Sequence, residues 1–132
     1  MNARISKPMR PRSLRILVVE DDPDALKATV DLLEALGHSP SGLSSAELAI
    51  DRYLDGAFDA VVTDVGLPGL SGLDLAGILG RGARIPIIFA TGRPAPAQLP
   101  AGRAWLRKPF TAGQMARPVG QVMAPGGPAS PG

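Results

Sequence analysis

Short apolar runs alternate with segments of helical periodicity between residues 14 and 123, and this alternation restricts the fold more than any other feature. Each apolar run has the length of a strand, and each helical segment is long enough to cover part of a sheet. Strands separated by helices pair in parallel, because the crossover returns the chain to the same end of the sheet. The sequence therefore predicts an α/β fold, a doubly wound parallel sheet of five strands with helices on both faces.

Turn residues and helix caps divide this part of the chain into its predicted elements. We predict strands at residues 15–19, 41–43, 59–63, 86–90 and 104–107. We predict helices at residues 24–36, 44–55, 73–79 and 111–123. Pro40 and Gly42 weaken the second strand, and Ser44 with Glu47 forms a capping-box pattern at the start of the second helix. Pro118 is predicted to kink or shorten the last helix, because proline lacks a backbone N–H.

The two ends of the chain differ in composition from the domain at residues 14–123. Residues 1–13 have no acid and are predicted to form a flexible basic arm. Their basic residues are Arg4, Lys7, Arg10 and Arg12. Nucleic-acid binding by this arm is the alternative that its charge leaves open. Residues 124–132 contain only Pro, Gly, Ala and Ser, and are predicted to be a disordered tail with no DNA-binding or other output domain after it.

The composition also excludes several kinds of site and location. No apolar run is long enough to span a bilayer, and the N-terminus lacks the apolar segment of a signal peptide. We therefore expect a cytoplasmic protein without membrane contact. The sequence has no cysteine, which excludes disulfides and thiolate ligands. Any metal ion would have to be bound by oxygen atoms.

Polar side chains follow four of the five predicted strands. Glu20 and Asp21 come after the first strand, Asp64 after the third, Thr91 after the fourth and Lys108 after the fifth. The carboxyl ends of parallel strands meet at one edge of the sheet, and ligands bind there near the point where the strand order reverses. We therefore expect a cup of carboxylates flanked by a hydroxyl and an ammonium group.

The residue types in this cup suit phosphoryl transfer with a divalent cation. Crowded carboxylates repel one another unless a cation neutralises them, and oxygen ligands favour Mg²⁺. Asp64 is the candidate nucleophile, because a carboxylate can attack phosphorus to form a mixed anhydride while cations and a hydroxyl stabilise the phosphoryl oxygens. Considered alone, residues 20–22 fit an acidic loop that caps the first helix equally well.

Four segments of the chain resemble the motifs of the response-regulator receiver domain, in the order in which that family has them. They are residues 16–23, 61–72, 87–92 and 105–110, which read ILVVEDDP, VVTDVGLPGLSG, IIFATG and WLRKPF. The resemblance covers roughly residues 14–123. It implies a flavodoxin-like strand order of 2-1-3-4-5.

The resemblance implies a role for each acid of the cup. Asp64 would be the phospho-acceptor, and Glu20 and Asp21 would be the acidic pair. Asp21, Asp64 and the backbone carbonyl of Gly66 would ligate Mg²⁺ directly, and Glu20 would act through water. Asp22 ranks below the other two acids, because it can also cap the first helix.

The resemblance also implies roles on the other side of the cup. Thr91 would donate a hydrogen bond to a phosphoryl oxygen, Lys108 would pair with another, and the Lys108–Pro109 peptide bond would be cis. Trp105 occupies the position of the switch aromatic, which is usually Tyr or Phe in the family. His38, the only histidine, is interpreted as a solvated loop residue just past a helix.

The segment between the fourth and fifth predicted strands departs from the usual pattern. Its prolines disfavour a regular helix, so we predict that the fourth helix of the family is reduced or absent here. The motif at residues 89–92, Phe-Ala-Thr-Gly, resembles a receiver subgroup with such a reduced helix. Arg93 and Pro94 replace the hydrophobic–tyrosine pair that completes the motif of that subgroup.

With the resemblance, the sequence predicts a stand-alone response regulator of a two-component phosphorelay. Asp64 would accept a phosphoryl group from a histidine kinase or a phosphotransfer protein, and the chain would catalyse only its own phosphorylation and dephosphorylation. The basic surface at residues 92–117 would bind an acidic surface of a downstream protein after a conformational change. A phosphorylation-independent pseudo-receiver scaffold is the alternative. A phosphatase with an aspartyl nucleophile is disfavoured, because Gly66 stands where that enzyme needs a second acid.

Overall fold

The computed structural model describes residues 13–53, 56–80 and 85–123, so the predicted tail and all but Ser13 of the predicted arm lie outside it. The strands in these ranges are β1 (Arg15–Val19), β2 (Ser39–Leu43), β3 (Ala60–Thr63), β4 (Ile87–Thr91) and β5 (Arg103–Arg107). The helices in these ranges are α1 (Pro23–Ala35), α2 (Ala46–Arg52), α3 (Gly72–Leu79) and α4 (Ala112–Met123). All strands are parallel in the order β2-β1-β3-β4-β5, which confirms the predicted fold. No helix in the described ranges has the length and apolar character needed to cross a membrane.

The carboxyl ends of the strands are aligned at one edge of the sheet. Val19, the last residue of β1, pairs with Leu43 of β2 and with Thr63 of β3. Thr91, the last residue of β4, pairs with Arg107 of β5. Residues that directly follow these strands therefore emerge at the same edge, where the site was expected.

Helices cover both faces of the sheet. Successive residues of a strand point to opposite faces, so Ile16 and Leu17 belong to different buried clusters. The Leu17 cluster includes residues of α2 and α3, whereas the Ile16 cluster includes Leu33 of α1 and Met115 of α4. Every residue of β4 is buried, which explains why this strand is apolar almost throughout.

Side-chain caps define where α1 and α3 begin. The Asp22 carboxylate accepts a hydrogen bond from the Asp24 N–H at 3.2 Å, so Asp22 caps α1. At α3, Ser71 and Asp74 form a capping box in which each side chain accepts from the backbone N–H of the other at 3.0 Å. Both caps satisfy N–H groups that have no partner inside the helix.

The start of α2 differs from the prediction. Ser45, rather than Ser44, is the N-cap, and its hydroxyl accepts a hydrogen bond from the Leu48 N–H at 3.1 Å. Glu47 does not close a capping box with Ser44, because its carboxylate accepts instead from the Leu70 N–H at 2.9 Å. A hydrogen bond between Glu47 and the distant Leu70 loop therefore replaces the predicted local capping contact.

No helix joins β4 to β5. Residues 92–102 are described throughout and contain turns, bends and irregular chain. Pro94, Pro96 and Pro100 lie in this segment, and each proline both lacks a donor and disfavours helical geometry in the residue before it. The prediction that this helix is reduced or absent is confirmed.

Two other prolines lie inside regular elements. Pro40 is part of β2, which lies at the edge of the sheet, where a missing donor is tolerated. Pro118 lies inside α4 and does not shorten the helix, which continues to Met123 as the sequence predicted. Met115 and Val119, on either side of this proline, are both buried in the same cluster and hold the helix against the sheet.

The prediction that His38 is a solvated loop residue is also wrong. His38 is buried, and its Nδ1 accepts a hydrogen bond from the Leu14 N–H at 3.0 Å. Burial lowers the pKa of the imidazole below its ordinary value of 6.5. His38 therefore pairs a backbone donor at the start of β1 that would otherwise be buried without a partner.

Candidate functional site

Three carboxylates lie together at the carboxyl edge of the sheet. Glu20 and Asp21 follow β1 and Asp64 follows β3, and one oxygen from each lies within 4.8 Å of the others. Glu20 is buried, Asp21 is exposed and Asp64 is half-buried. The structure thus brings together the three acids of the predicted cup and leaves it open to solvent at Asp21.

The ammonium group of Lys108 lies between two of these carboxylates. Its Nζ donates to Oδ2 of Asp64 at 3.0 Å and also to Oε1 of Glu20. The Lys108 backbone N–H donates to the Thr91 carbonyl at 2.8 Å, and the Lys108–Pro109 peptide bond is cis. Burial lowers the pKa of Lys108, but the hydrogen bonds and charges of Glu20 and Asp64 outweigh burial and raise the pKa above its ordinary value. Lys108 is therefore a cation at neutral pH.

Asp64 is held in its ionised form. Partial burial raises the pKa of its carboxyl group, but hydrogen bonds from Lys108, the Gly66 N–H and the Thr91 hydroxyl, together with the Lys108 charge, lower it below the ordinary value of 3.8. The Gly66 N–H donates to Oδ1 at 3.2 Å, whereas Lys108 contacts Oδ2. Each oxygen of the Asp64 carboxylate therefore has its own donor, and the group is in its nucleophilic form.

A glycine makes room for the backbone of Asp64. A Cβ atom on Gly72, the first residue of α3, would lie 1.9 Å from the Asp64 carbonyl oxygen. The N–H of Gly72 donates to the Val65 carbonyl at 3.0 Å, and the hydroxyl of Thr63 donates to the Asp64 carbonyl at 2.9 Å. The start of α3 thus packs directly on the loop that follows Asp64, a contact that the sequence analysis did not predict.

Thr91 and Trp105 are connected through the backbone of Arg93. Thr91 is buried, and its hydroxyl accepts a hydrogen bond from the Arg93 N–H at 3.4 Å. The Trp105 Nε1 donates to the Arg93 carbonyl at 2.9 Å. The indole is half-buried and packs against Phe89, with 5.6 Å between ring centroids. The predicted switch aromatic is therefore bonded to the segment that begins at Thr91.

Arg93 lies closer to the loop after Asp64 than the sequence indicated. A Cβ atom on Gly66 would lie 3.2 Å from Nη2 of Arg93, so the guanidinium group covers this glycine. The sequence interpretation treated Arg93 as part of a basic surface and as a departure from a subgroup motif. Its place two residues after Thr91 was the one signal that could have connected it with the site.

The donor set at this edge fits a hard divalent cation. All three side chains of the cluster offer carboxylate oxygens, and Mg²⁺ binds through one or two carboxylates while it keeps several waters. Asp21 is exposed, so a hydrated ion can reach the cluster from solvent. A soft metal that requires thiolate or imidazole ligands does not fit these residues.

Comparison with known sequences finds relatives among bacterial signalling proteins. The virulence sensor protein BvgS of Bordetella pertussis is 39% identical over 75 residues, which cover 56% of this chain and 6% of BvgS. The sensory/regulatory protein RpfC of Xanthomonas campestris pv. campestris is 31% identical over 116 residues, which cover 80% of this chain and 16% of RpfC. This chain thus spans only a small part of the length of these relatives.

Solved structures show the same fold. The response regulator TrrA from Thermotoga maritima, in complex with Mg(2+)-BeF, has a TM-score of 0.74 and 26% identity, with 82% of this chain and 97% of that chain covered. The receiver domain of HemR from Leptospira biflexa has a TM-score of 0.73 and 27% identity, with 84% and 94% covered. The response regulator receiver domain family matches residues 16–116 of the sequence. With its parallel sheet and the acidic cluster at the carboxyl edge, this chain belongs to the response regulator receiver domains of two-component systems.

Proposed function

We propose that Asp64 accepts a phosphoryl group in a cytoplasmic two-component phosphorelay and that the phosphorylated chain signals through another protein. The observation that carries this proposal is the ionised Asp64 carboxylate, which shares a cluster with Glu20 and Asp21 and is hydrogen-bonded to Lys108. TrrA, which has a similar fold, has been solved with Mg(2+)-BeF bound. The phosphoryl donor would be a phosphohistidine of a histidine kinase or of a phosphotransfer protein.

The acidic cluster would hold the metal ion. Asp21, Asp64 and the backbone carbonyl of Gly66 would ligate Mg²⁺ directly, and the buried Glu20 would act through water. When bound, Mg²⁺ supplies positive charge that offsets the repulsion among the carboxylates and the charge on the phosphoryl oxygens. Lys108 already neutralises part of the negative charge of the carboxylates through its contacts with Glu20 and Asp64.

Phosphoryl transfer to Asp64 requires one bond to phosphorus to form while another breaks. A carboxylate oxygen of Asp64 attacks the phosphorus, and the bond between phosphorus and the donor imidazole nitrogen breaks, with its electron pair going to that nitrogen. Lys108 would stabilise one phosphoryl oxygen, and the Thr91 hydroxyl would donate to another. Attack by water on the same phosphorus releases phosphate and restores the carboxylate.

A downstream protein would bind the surface formed by residues 92–117. Because no helix covers β4 and β5 here, an open groove of about 490 Å³ lies between α3 and residues 92–102. Apolar side chains line it, including Trp105 and Leu73, which is 52% exposed. The sequence has no acid after Asp74, so the rim of the groove is basic and would favour an acidic partner surface.

Phosphorylation by a small phospho-donor tests the assignment of Asp64. We expect intact-mass spectrometry to show one added phosphoryl group after incubation of the protein with acetyl phosphate and Mg²⁺. Asp64→Asn should abolish this addition, because an amide is not a nucleophile toward phosphorus. Asp51→Asn, which changes an exposed carboxylate on α2, is the matched control and should be labelled like the unmodified protein.

Two outcomes would contradict the proposal. Undiminished labelling of Asp64→Asn would place the acceptor elsewhere. Failure of the unmodified protein to take up a phosphoryl group from acetyl phosphate and from a phosphorylated histidine kinase would favour the scaffold that binds partners without phosphorylation.

A further inference from the structure

The backbone of Arg93 is bonded on both sides to residues of the site. Its N–H donates to the Thr91 hydroxyl at 3.4 Å, and its carbonyl accepts from the Trp105 indole at 2.9 Å. The first bond is at the long limit for a hydrogen bond, whereas the second has ordinary geometry. These bonds fix the point from which the Arg93 side chain leaves the backbone.

The Arg93 side chain extends from this point over Gly66. A Cβ atom on Gly66 would lie 3.2 Å from Nη2, 3.8 Å from Cζ and 3.9 Å from Nε of Arg93. The backbone N–H of Gly66 donates to Oδ1 of Asp64. The guanidinium group therefore lies against the loop that binds one oxygen of the acceptor, and the absence of a side chain on Gly66 makes this approach possible.

The Arg93 guanidinium has no carboxylate partner within 4.0 Å among the residues that the structure describes. Among residues 13–53, 56–80 and 85–123, the ion pairs within 4.0 Å are Arg15–Asp59, Lys27–Asp31 and the two pairs of Lys108. Lys108 contacts Oδ2 of Asp64, whereas Arg93 covers the loop that contacts Oδ1. Lys108 thus contacts the Asp64 carboxylate itself, whereas Arg93 lies against the neighbouring Gly66, and among the described residues only Lys108 is paired with carboxylates.

We propose that Arg93 binds the phosphoryl group on Asp64, as a further phosphoryl-binding residue beside Thr91 and Lys108. This inference rests on the proposed function, since it requires that Asp64 is the acceptor. A phosphoryl group carries several anionic oxygens, and a guanidinium group donates to two of them at once through parallel N–H bonds. Arg93 supplies such donors at the Gly66 side of the site, where the three atoms nearest to a Cβ placed on Gly66 all belong to its guanidinium group.

The proposed contact between Arg93 and the phosphoryl group also explains how phosphorylation of Asp64 can change the hydrogen bond of Trp105. The residue whose side chain turns toward the phosphoryl group is the same residue whose carbonyl accepts from the indole. A shift of the Arg93 backbone toward Asp64 therefore changes this hydrogen bond directly. A switch Phe could not donate such a bond, because its side chain has no N–H or O–H group.

Binding of beryllofluoride, a phosphoryl mimic, tests the proposal. Affinity would be measured for the full chain by isothermal titration in the presence of Mg²⁺, with Arg93→Gln, Arg93→Lys and Arg52→Gln. We expect Arg93→Gln to weaken binding about tenfold, as loss of a charge-assisted hydrogen bond does, and Arg93→Lys to weaken it less. Arg52 is the exposed last residue of α2, which runs away from the site edge, so Arg52→Gln should bind like the unmodified protein.

The outcomes separate this inference from the proposed function. If Arg93→Gln binds beryllofluoride as tightly as the unmodified protein, Arg93 does not contact the phosphoryl group. If Arg52→Gln loses as much affinity, the effect comes from net charge and the inference fails as well. If the unmodified protein does not bind the mimic with Mg²⁺, the acceptor assignment itself is wrong. Equal thermal unfolding of the three variants excludes misfolding as the cause of any loss.

Discussion

The indole Nε1 of Trp105 donates a hydrogen bond to the main-chain carbonyl of Arg93, with 2.9 Å between the two atoms. This bond links β5 to the irregular segment after β4, and the ring packs against Phe89 inside the sheet. The Arg93 N–H in turn contacts the Thr91 hydroxyl. The environment of the indole therefore depends on the conformation of the chain that follows Thr91.

Tryptophan fluorescence should report occupancy of the site, since Trp105 is the only tryptophan in the sequence. We expect the emission of the protein to change when Mg²⁺ and beryllofluoride are added together, because binding at Asp64 alters the backbone that accepts from the indole. Asp21→Ala should remove the response to Mg²⁺, because it deletes an exposed carboxylate of the cluster. An unchanged spectrum, with the mimic shown to be bound by ¹⁹F NMR, would contradict the role of Trp105.

Substitution by alanine should change the free energy of unfolding in opposite directions at two glycines of α3. A Cβ atom at Gly72 would collide with the Asp64 carbonyl oxygen, whereas a Cβ at Gly77 has no atom within 4 Å. We expect Gly72→Ala to lower the free energy of unfolding by about 1–3 kcal/mol through backbone displacement. Gly77→Ala, its matched control, should raise this free energy by about 0.5–1 kcal/mol through helix propensity.

Urea unfolding of the two variants measures both effects. Gly72→Ala should also reduce phosphorylation by acetyl phosphate, since the backbone that collides belongs to Asp64, the proposed acceptor. Gly77→Ala should be phosphorylated normally. A Gly72→Ala protein that retains both stability and phosphorylation would show that the start of α3 can move away from Asp64 without cost.

His38 should make stability depend on pH just below neutrality. Burial lowers its pKa in the folded state below 6.5, so the unfolded chain binds more protons as the pH falls below that value. The contribution of His38 to the free energy of unfolding is thus complete above pH 6.5, and it decreases as the pH falls toward the folded-state pKa. Protonation of Nδ1 would also remove the acceptor for the Leu14 N–H.

The pH effect is measured by urea unfolding at about pH 7.5 and about pH 5.5, a range in which histidine is the side chain that ordinarily titrates. We expect the unmodified protein to be less stable at the lower pH. His38→Gln keeps an acceptor for the Leu14 N–H but cannot titrate, so its stability should be nearly equal at the two values. An equal loss of stability in both proteins would assign the pH effect to another group.

The site could be predicted from the sequence because it depends on strand order more than on side-chain packing. Asp64 and Lys108 are separated by 44 positions, yet their side chains lie 3.0 Å apart. Each residue directly follows a buried strand, and parallel pairing brings such positions to one edge of the sheet. Apolar runs and polar residues at their ends are both visible in the sequence, so the sequence alone could indicate that these side chains lie together.

The contacts of two other residues could not be predicted in the same way, because their partners lie far away in the sequence. Glu47 matched a local capping pattern, but its carboxylate bonds to the Leu70 N–H, 23 positions away. His38 follows the end of α1 like a loop residue, but its imidazole fills a buried position beside Leu14. Local sequence patterns indicate only the hydrogen bonds that a side chain can form with its neighbours in sequence. In both cases the side chain instead accepts from a backbone N–H that is distant in sequence.

The irregular segment at residues 92–102 should be the element that changes on phosphorylation. Its prolines prevent helix formation, so few backbone N–H groups in it have partners in regular structure. The segment is attached to the site at both ends, because Thr91 precedes it and Arg103 begins β5, two residues before Trp105. A change at Asp64 can therefore reach it through Thr91 and be read out at Trp105.

Hydrogen exchange followed by mass spectrometry tests this prediction, with and without Mg²⁺ and beryllofluoride. We expect altered protection across residues 92–107, because the Arg93 backbone and the indole bond both change when the phosphoryl mimic binds. Asp64→Asn is the control, and the same additions should leave its exchange unchanged. If the altered protection is confined to α1 or α2, the surface that meets the downstream protein lies on those helices, and the groove beside α3 is not the output site.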